Sequence, residues 1–262
     1  MLKNDLVDRI HNSVCAIGYL PIPLKEWKAK AASHPFKVVG SGFLVRATTV
    51  MTNRHVIRDL LVAAEADYIP DDQLFISFIA PIGHGKVLNT VRMVRRRVGI
   101  LGTDADIGFI EFKREPAEHF EHIHPLAIDE TGELQVTEEV YVCGYPHGNR
   151  LMEKDGEIYR LGPVMQHGYI SGLSPFGRAT HPDEILLDVR TARGMSGSPV
   201  FRPGTGAVIG IHNEAIGSSV GVSTTAFAIP LRRAPVIDWL SKFDESPESN
   251  ELDSSTSEDV DA

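Results

Sequence analysis

The chain has 262 residues, 42% of them hydrophobic, and a formal charge of −9. That is enough apolar material to bury one or two sizeable cores, and it excludes a chain disordered over most of its length. The charge sits mostly in residues 244–262, which carry eight acidic side chains and no Lys or Arg; the nearly neutral body gives no reason to expect nucleic acid or an anionic membrane as a partner.

Residues 1–10 alternate charged and apolar side chains without the hydrophobic stretch of a secretory signal. No run approaches the length of a membrane span. The expectation is a soluble, cytoplasmic protein. Cys15 and Cys143 are too few for a disulfide scaffold, and both lie in apolar runs, so buried free thiols are expected.

In chain order, residues 13–19 read as a first strand broken by Pro21 and Pro23. Residues 24–32 read as a short helix bearing Trp27, ahead of a strand at 36–45. His55 opens a short helix through Leu60 and Leu61. Strands follow at 74–79, 87–100 and 107–112, and close a first barrel over about residues 10–112. The Arg95, Arg96, Arg97 run fits alternating exposure on a strand. Residues 113–135, rich in charge, proline and histidine, read as a linker. It contains His119, His122 and His124, but no cysteine or ordered acidic partner completes a ligand set, so no metal and no other cofactor is expected.

A second barrel is expected over 136–230, with strands at 140–144, 157–161, 169–173, 185–189, 200–201, 208–212 and 223–229. Short strands between glycine turns fit a barrel better than a βαβ pattern, so the class is all-β. Val236, Ile237, Leu240 and Phe243 recur at helical spacing in a closing helix at 231–243, where Trp239 packs. One folded domain thus spans 1–243, and 244–262 has the composition of a disordered acidic tail.

The chemistry centres on Gly194-Met195-Ser196-Gly197-Ser198-Pro199. A serine hydroxyl needs a base, a group to orient that base, and donors for an oxyanion. Glycines around Ser196 permit a tight path that turns the Gly194 and Ser196 N–H groups toward one point. The fifth residue of the motif is Ser198 and not glycine, against the nucleophile elbow of α/β-hydrolases. The candidate base is His55, in Thr52-Asn53-Arg54-His55-Val56. The candidate orienting carboxylate is Asp106, directly before the apolar run from Ile107, with Asp104 as its rival. The order His, Asp, Ser matches two-barrel serine proteases.

With G-S-G-F-L-V, T-N-R-H-V, D-I-G-F-I, G-M-S-G-S-P-V-F, V-I-G-I-H and F-A-I-P in this order over residues 38–230, the chain resembles the trypsin-like (chymotrypsin-fold) serine proteases of the bacterial type. It is similar to Do-like (HtrA-type) protease domains and to glutamyl endopeptidases. The resemblance implies two six-stranded antiparallel β-barrels with a C-terminal helix. It also implies endopeptidase activity on a protein or peptide substrate through His55, Asp106 and Ser196 and an acyl-enzyme.

The strand with Gly210 and His212 is then expected to flank the pocket for the residue before the cut. Thr191 and His212 hold the positions that glutamyl endopeptidases use for a carboxylate, Arg190 adds charge nearby, and Thr225 lines the remaining wall. An acidic residue before the scissile bond is one reading and a small or apolar one the other; no carboxylate at the pocket base favours Lys or Arg. Met195 replaces the aspartate that would pair with a new amino terminus, so control falls to assembly of the Gly194 turn, a regulatory partner or expression. The alternatives are a catalytically silent peptide- or partner-binding module and a hydrolase of non-peptide acyl groups.

Overall fold

A computed structural model of the chain describes residues 4–23, 25–26, 36–70, 73–83, 86–100, 106–112, 123–131, 133–146, 151–154, 157–160, 162–175, 182–215, 222–223 and 225–244. Two closed antiparallel barrels of six strands each form, as the sequence predicts. In the first, β1 (Val14–Tyr19), β2 (Lys37–Arg46), β3 (Thr49–Thr52), β4 (Leu74–Gly83), β5 (Lys86–Ile100) and β6 (Gly108–Phe112) close in the order β1-β2-β3-β6-β5-β4. In the second, β7 (Glu139–Gly144), β10 (Val164–Ser174), β11 (Glu184–Leu187), β13 (Pro199–Phe201), β14 (Val208–Ala215) and β16 (Ala226–Pro230) close as β10-β11-β16-β14-β13-β7.

Strand β1 shows why the fold needs both barrels. All six of its residues are buried. Successive side chains of a strand point to opposite faces: Cys15 and Ile17 enter a cluster with Leu44, Ile76, Phe78 and Ile110 inside the first barrel. Val14 and Ala16 join a second cluster in which Phe43, Met51 and Phe109 of that barrel meet Cys143, Phe201 and Ile211 of the other. A third cluster, with Val140, Val142, Leu187 and Ile209, fills the second barrel. Cys15 and Cys143 are buried free thiols, and burial pushes both pKa values up.

Three helices are described. Helix α1 (Asn4–Ser13) forms where the sequence shows an alternation of charged and apolar residues; Leu6 and Ile10, four apart, are the helical signal. Ile10 is buried against the inter-barrel cluster and Leu6 packs on it. The Ser13 hydroxyl then donates to the His124 carbonyl, tying the helix to the connector. Helix α2 (Arg54–Ala66) runs past the predicted Leu61, burying Val56, Ile57, Leu60 and Ala64 while Leu61 faces solvent. Helix α3 (Arg233–Asp244) closes the chain as expected, with Val236 and Leu240 buried and Trp239 packed on the inter-barrel cluster.

Other expectations need correction. The strand predicted at 157–161 is β9 (Glu157–Arg160), which among the described residues pairs with β8 (Leu151–Lys154) in a separate two-stranded sheet and not with the barrel. The stretch at 223–229 is two elements: β15 (Val222–Ser223) pairs with β12 (Thr191–Ala192), and β16 enters the barrel. Strand β3, too short to announce itself by alternation, completes the first barrel. Trp27, Asp104, His119, His122 and the tail 245–262 lie outside the described residues. Among the described residues, no helix is long and apolar enough to cross a membrane.

The connector is held by charge as well as by packing. Arg202, at the end of β13, donates to Asp129, to Glu138 and to the Glu133 carbonyl. Its guanidinium is 21% exposed and the two carboxylates 9% and 20%. Removing one partner of such a set leaves poorly solvated charge behind. Arg202→Ala is therefore expected to lower stability by on the order of 2–3 kcal/mol, read as a shift of the urea midpoint at unchanged slope. A midpoint that does not move would show that packing alone holds the connector.

Candidate active site

The first barrel presents His55 and Asp106 side by side because of a ladder register. Strands β3 and β6 pair Thr52 with Gly108, and both chains leave the ladder there. Asn53, fully buried, makes no side-chain cap bond to α2; its Nδ2 donates instead to the Asp106 carbonyl at 3.0 Å. The cap comes from Asp106. One carboxylate oxygen accepts the His55 backbone N–H at 2.8 Å, and the other meets His55 Nδ1 at 2.5 Å. The first N–H groups of a helix have no partner within it, and a carboxylate there also answers the helix dipole. Burial pushes the Asp106 carboxyl up, but the hydrogen bonds from the His55 ring and backbone, with the charges of His55 and Arg58, hold it below the usual carboxylate value.

The second barrel contributes a turn in which alternate N–H groups are engaged. Met195 N–H donates to Ala192 O at 3.1 Å, Gly197 N–H to His212 O at 2.9 Å and Ser198 N–H to Met195 O at 3.0 Å. Gly194 and Ser196 N–H donate to no acceptor among the described residues. Gly194 (φ 98°) and Gly197 (φ 86°) both lie in the left-handed region that favours glycine. A side chain at Gly197 would also collide with the Ser41 carbonyl and the Thr52 hydroxyl of the first barrel.

The Ser196 hydroxyl donates to the Asn213 carbonyl at 3.0 Å. Asn213 is the extra residue of a β-bulge: the β14–β16 register shifts between His212 and Glu214. Bulges re-aim backbone groups next to sites. Here a carbonyl is turned out of the ladder toward the serine. Beneath it, Thr191 Oγ1 and His212 Nε2 are 2.8 Å apart, with the two residues 3% and 2% exposed. Among the described residues, His212 Nδ1 is buried without a hydrogen-bond partner.

His55, Asp106, Thr191, Ala192, Arg193, Ser196, His212 and Asn213 line one cleft of about 410 Å³. The structure thus brings together five of the residues singled out in the sequence, with the two unengaged N–H groups beside Ser196. Arg190 is exposed and Thr225 half-buried, and neither lines this cleft; Gly210 is buried in the barrel ladder. Three lining residues, Ala192, Arg193 and Asn213, are not among the site residues that the sequence points to. Arg193 sits next to the motif that drew attention, and Asn213 follows the G-I-H triplet, but nothing in sequence marks a bulge. Among the described residues, no cluster of side chains is set to hold a metal.

Two closed barrels with a serine, an imidazole and a carboxylate in the cleft between them define a serine-protease class of protein. The chain belongs to the trypsin-like peptidase domain family, whose profile matches residues 40–211. It is similar in structure to the HtrA-type protease AlgW with decapeptide, at 17% identity and a TM-score of 0.59, over 92% of this chain and 67% of that one. A variant of AlgW with decapeptide is similar at 17% identity and a TM-score of 0.55, over 86% of this chain and 62% of that one. This chain therefore spans about two thirds of the length of these neighbours. No curated protein matches the chain significantly.

Burial pulls the His212 pKa from 6.5 down to about 4, and the nearby His55 adds to the fall. The unfolded chain therefore binds a proton between those pH values that the folded chain refuses. Stability present above pH 6.5 is lost as pH falls toward 4, by on the order of 3 kcal/mol for a shift of that size. Chemical unfolding at pH 7.5 and pH 4.5 is expected to show a smaller acid loss for His212→Gln than for the wild type, by roughly 2 kcal/mol. Equal losses would mean that His212 ionises freely in the folded state.

Proposed function

We propose that the chain is a serine endopeptidase in which Ser196 is the nucleophile, His55 the general base and Asp106 the group that orients His55. The observation that carries this reading is the two-point hold of Asp106 on His55, through Nδ1 and the backbone N–H, in the cleft that contains Ser196. With Nδ1 engaged by the carboxylate, Nε2 is the nitrogen left for the serine proton. The Ser196 hydroxyl turns from Asn213 O to Nε2 and attacks the scissile carbonyl. The oxygen that gains charge is received by Gly194 and Ser196 N–H. His55 returns the proton to the leaving amine, and a water repeats the sequence to hydrolyse the acyl-enzyme.

The substrate is proposed to be an extended protein or peptide chain. Strand β14 pairs with β16 as far as Ala215, while its pairing with β13 ends at Ile211. His212 is taken up by the nucleophile turn, through its N–H to Ser198 O and its carbonyl to Gly197 N–H. Residues 213–215 face no second strand among the described residues, which suits addition of a substrate strand. An acidic side chain before the scissile bond is proposed from the convergence of Thr191 and neutral His212 in the cleft, with Arg193 exposed at its rim. A carboxylate in the cleft would accept from the Thr191 hydroxyl, which His212 Nε2 supports from behind.

Incubation with a fluorophosphonate probe is expected to give one adduct, on Ser196, that intact mass detects in the wild type and not in Ser196→Ala or His55→Ala. A folded wild type that forms no adduct would overturn the nucleophile assignment. On matched peptides, kcat/KM with Glu before the cut is expected to exceed that with Gln by about tenfold or more. Comparable values would remove the acidic preference and leave the triad standing.

A further inference from the structure

Ser41 belongs to the first barrel, yet its hydrogen bonds run mostly to the second. It is fully buried on β2. Its backbone N–H donates to Ser196 O at 2.8 Å, and its carbonyl accepts the Thr52 hydroxyl at 2.7 Å. Its hydroxyl accepts the Tyr145 N–H at 2.9 Å and donates to the Gly194 carbonyl at 2.7 Å. A Cβ at the neighbouring Gly144 would lie 3.0 Å from this hydroxyl, so the approach of that backbone depends on glycine.

The hydroxyl acts on a particular peptide plane. The two N–H groups left unengaged belong to the 193–194 and 195–196 peptides. Between them lies the 194–195 peptide, whose N–H is held by Ala192 O and whose carbonyl is held by Ser41 Oγ. Gly194 sits at φ 98°, and a glycine has little steric preference to keep its neighbours in place. The plane's orientation therefore rests on its two hydrogen bonds, one local and one from across the barrel junction.

We propose that Ser41 is a positioning residue for the oxyanion site: its hydroxyl clamps the 194–195 peptide plane and so aims the Gly194 and Ser196 N–H groups at one point. This rests on the reading of Ser196 as nucleophile. Because the Ser41 backbone bond to Ser196 O survives substitution, Ser41→Ala removes the clamp and spares the anchor beneath the serine. Ser41 touches no reacting atom, and its effect reaches the chemistry through Gly194.

The test uses the full chain, as wild type and Ser41→Ala, with a fluorophosphonate whose phosphoryl oxygen enters the same site. The maximal labelling rate is expected to fall about 10- to 100-fold, with the half-saturating probe concentration within about threefold of wild type. In parallel, the Met195, Ser198 and Tyr145 amides are expected to exchange with deuterium at least about tenfold faster in the variant, and those of Ile76 and Val140 at wild-type rates. Unchanged labelling and exchange in the variant would overturn the proposal. A loss confined to half-saturation, or exchange quickened throughout both barrels, would do so too, since either marks a merely structural role. If the wild type itself fails to label, the nucleophile reading falls, and the exchange comparison still decides whether Ser41 holds the turn.

Discussion

The structure around the cleft depends on the carboxylate of Asp106, whose two oxygens are committed in two directions. One caps the helix that carries His55, and the other holds the ring of the same residue. The pair is thereby fixed in backbone and side chain at once, which a single ring contact cannot do. It follows from strand register: Thr52 opposite Gly108 ends the β3–β6 ladder, and the residues just outside it on both chains face each other. A slip of one residue would turn the side chains of β3 to the opposite faces and separate the two groups. Asn53 shows the same dependence, making no side-chain cap bond of its own to the helix and holding the Asp106 backbone instead.

Ser196 comes from the other barrel, so its distance from His55 is set by how the two barrels meet. Apolar packing between them supplies the attraction, through Phe43, Phe109, Phe201 and Ile211 among others. Apolar contacts are not directional, so packing alone does not aim a particular peptide group across the junction. The polar bonds of Ser41 and the tight glycines Gly144 and Gly197 supply what packing lacks. Each barrel is closed and has its own core, so loops at their junction can be shaped for chemistry at little cost to the fold.

What was legible in the sequence divides along the same line. The barrels are readable because alternation and turn residues are local signals, and the motif order sets His55, Asp106 and Ser196 apart as candidates for one site. Thr191 and His212 were readable as a pair through resemblance, and they do meet. What was missed depends on pairing between distant segments. Asn213 projects its carbonyl because of a bulge against β16, Ser41 matters because β2 abuts the nucleophile turn, and Glu157–Arg160 leaves the barrel because Leu151–Lys154 pairs with it. Helix α1 is a different case: Leu6 and Ile10 stand at helical spacing within a run whose charged and apolar residues also alternate.

The position of the Ser196 hydroxyl bears on how much assembly the site still needs. It rests on the Asn213 carbonyl by one neutral hydrogen bond, and such bonds contribute about 1 kcal/mol net. Turning a serine hydroxyl between staggered positions is a fast side-chain event. The turn behind it is different, because Met195, Gly197, Ser198 and the Gly194 carbonyl are each bonded, two of them to other elements. Disordering that turn would break several buried bonds together, at about 1–3 kcal/mol for each group left unpaired. On the proposed reading, the serine's present contact is therefore a resting rotamer and not an inactive state. A partner that controlled this protein would gain little by acting on the hydroxyl. Its leverage lies at the junction of the barrels, where Ser41 and Gly194 are joined.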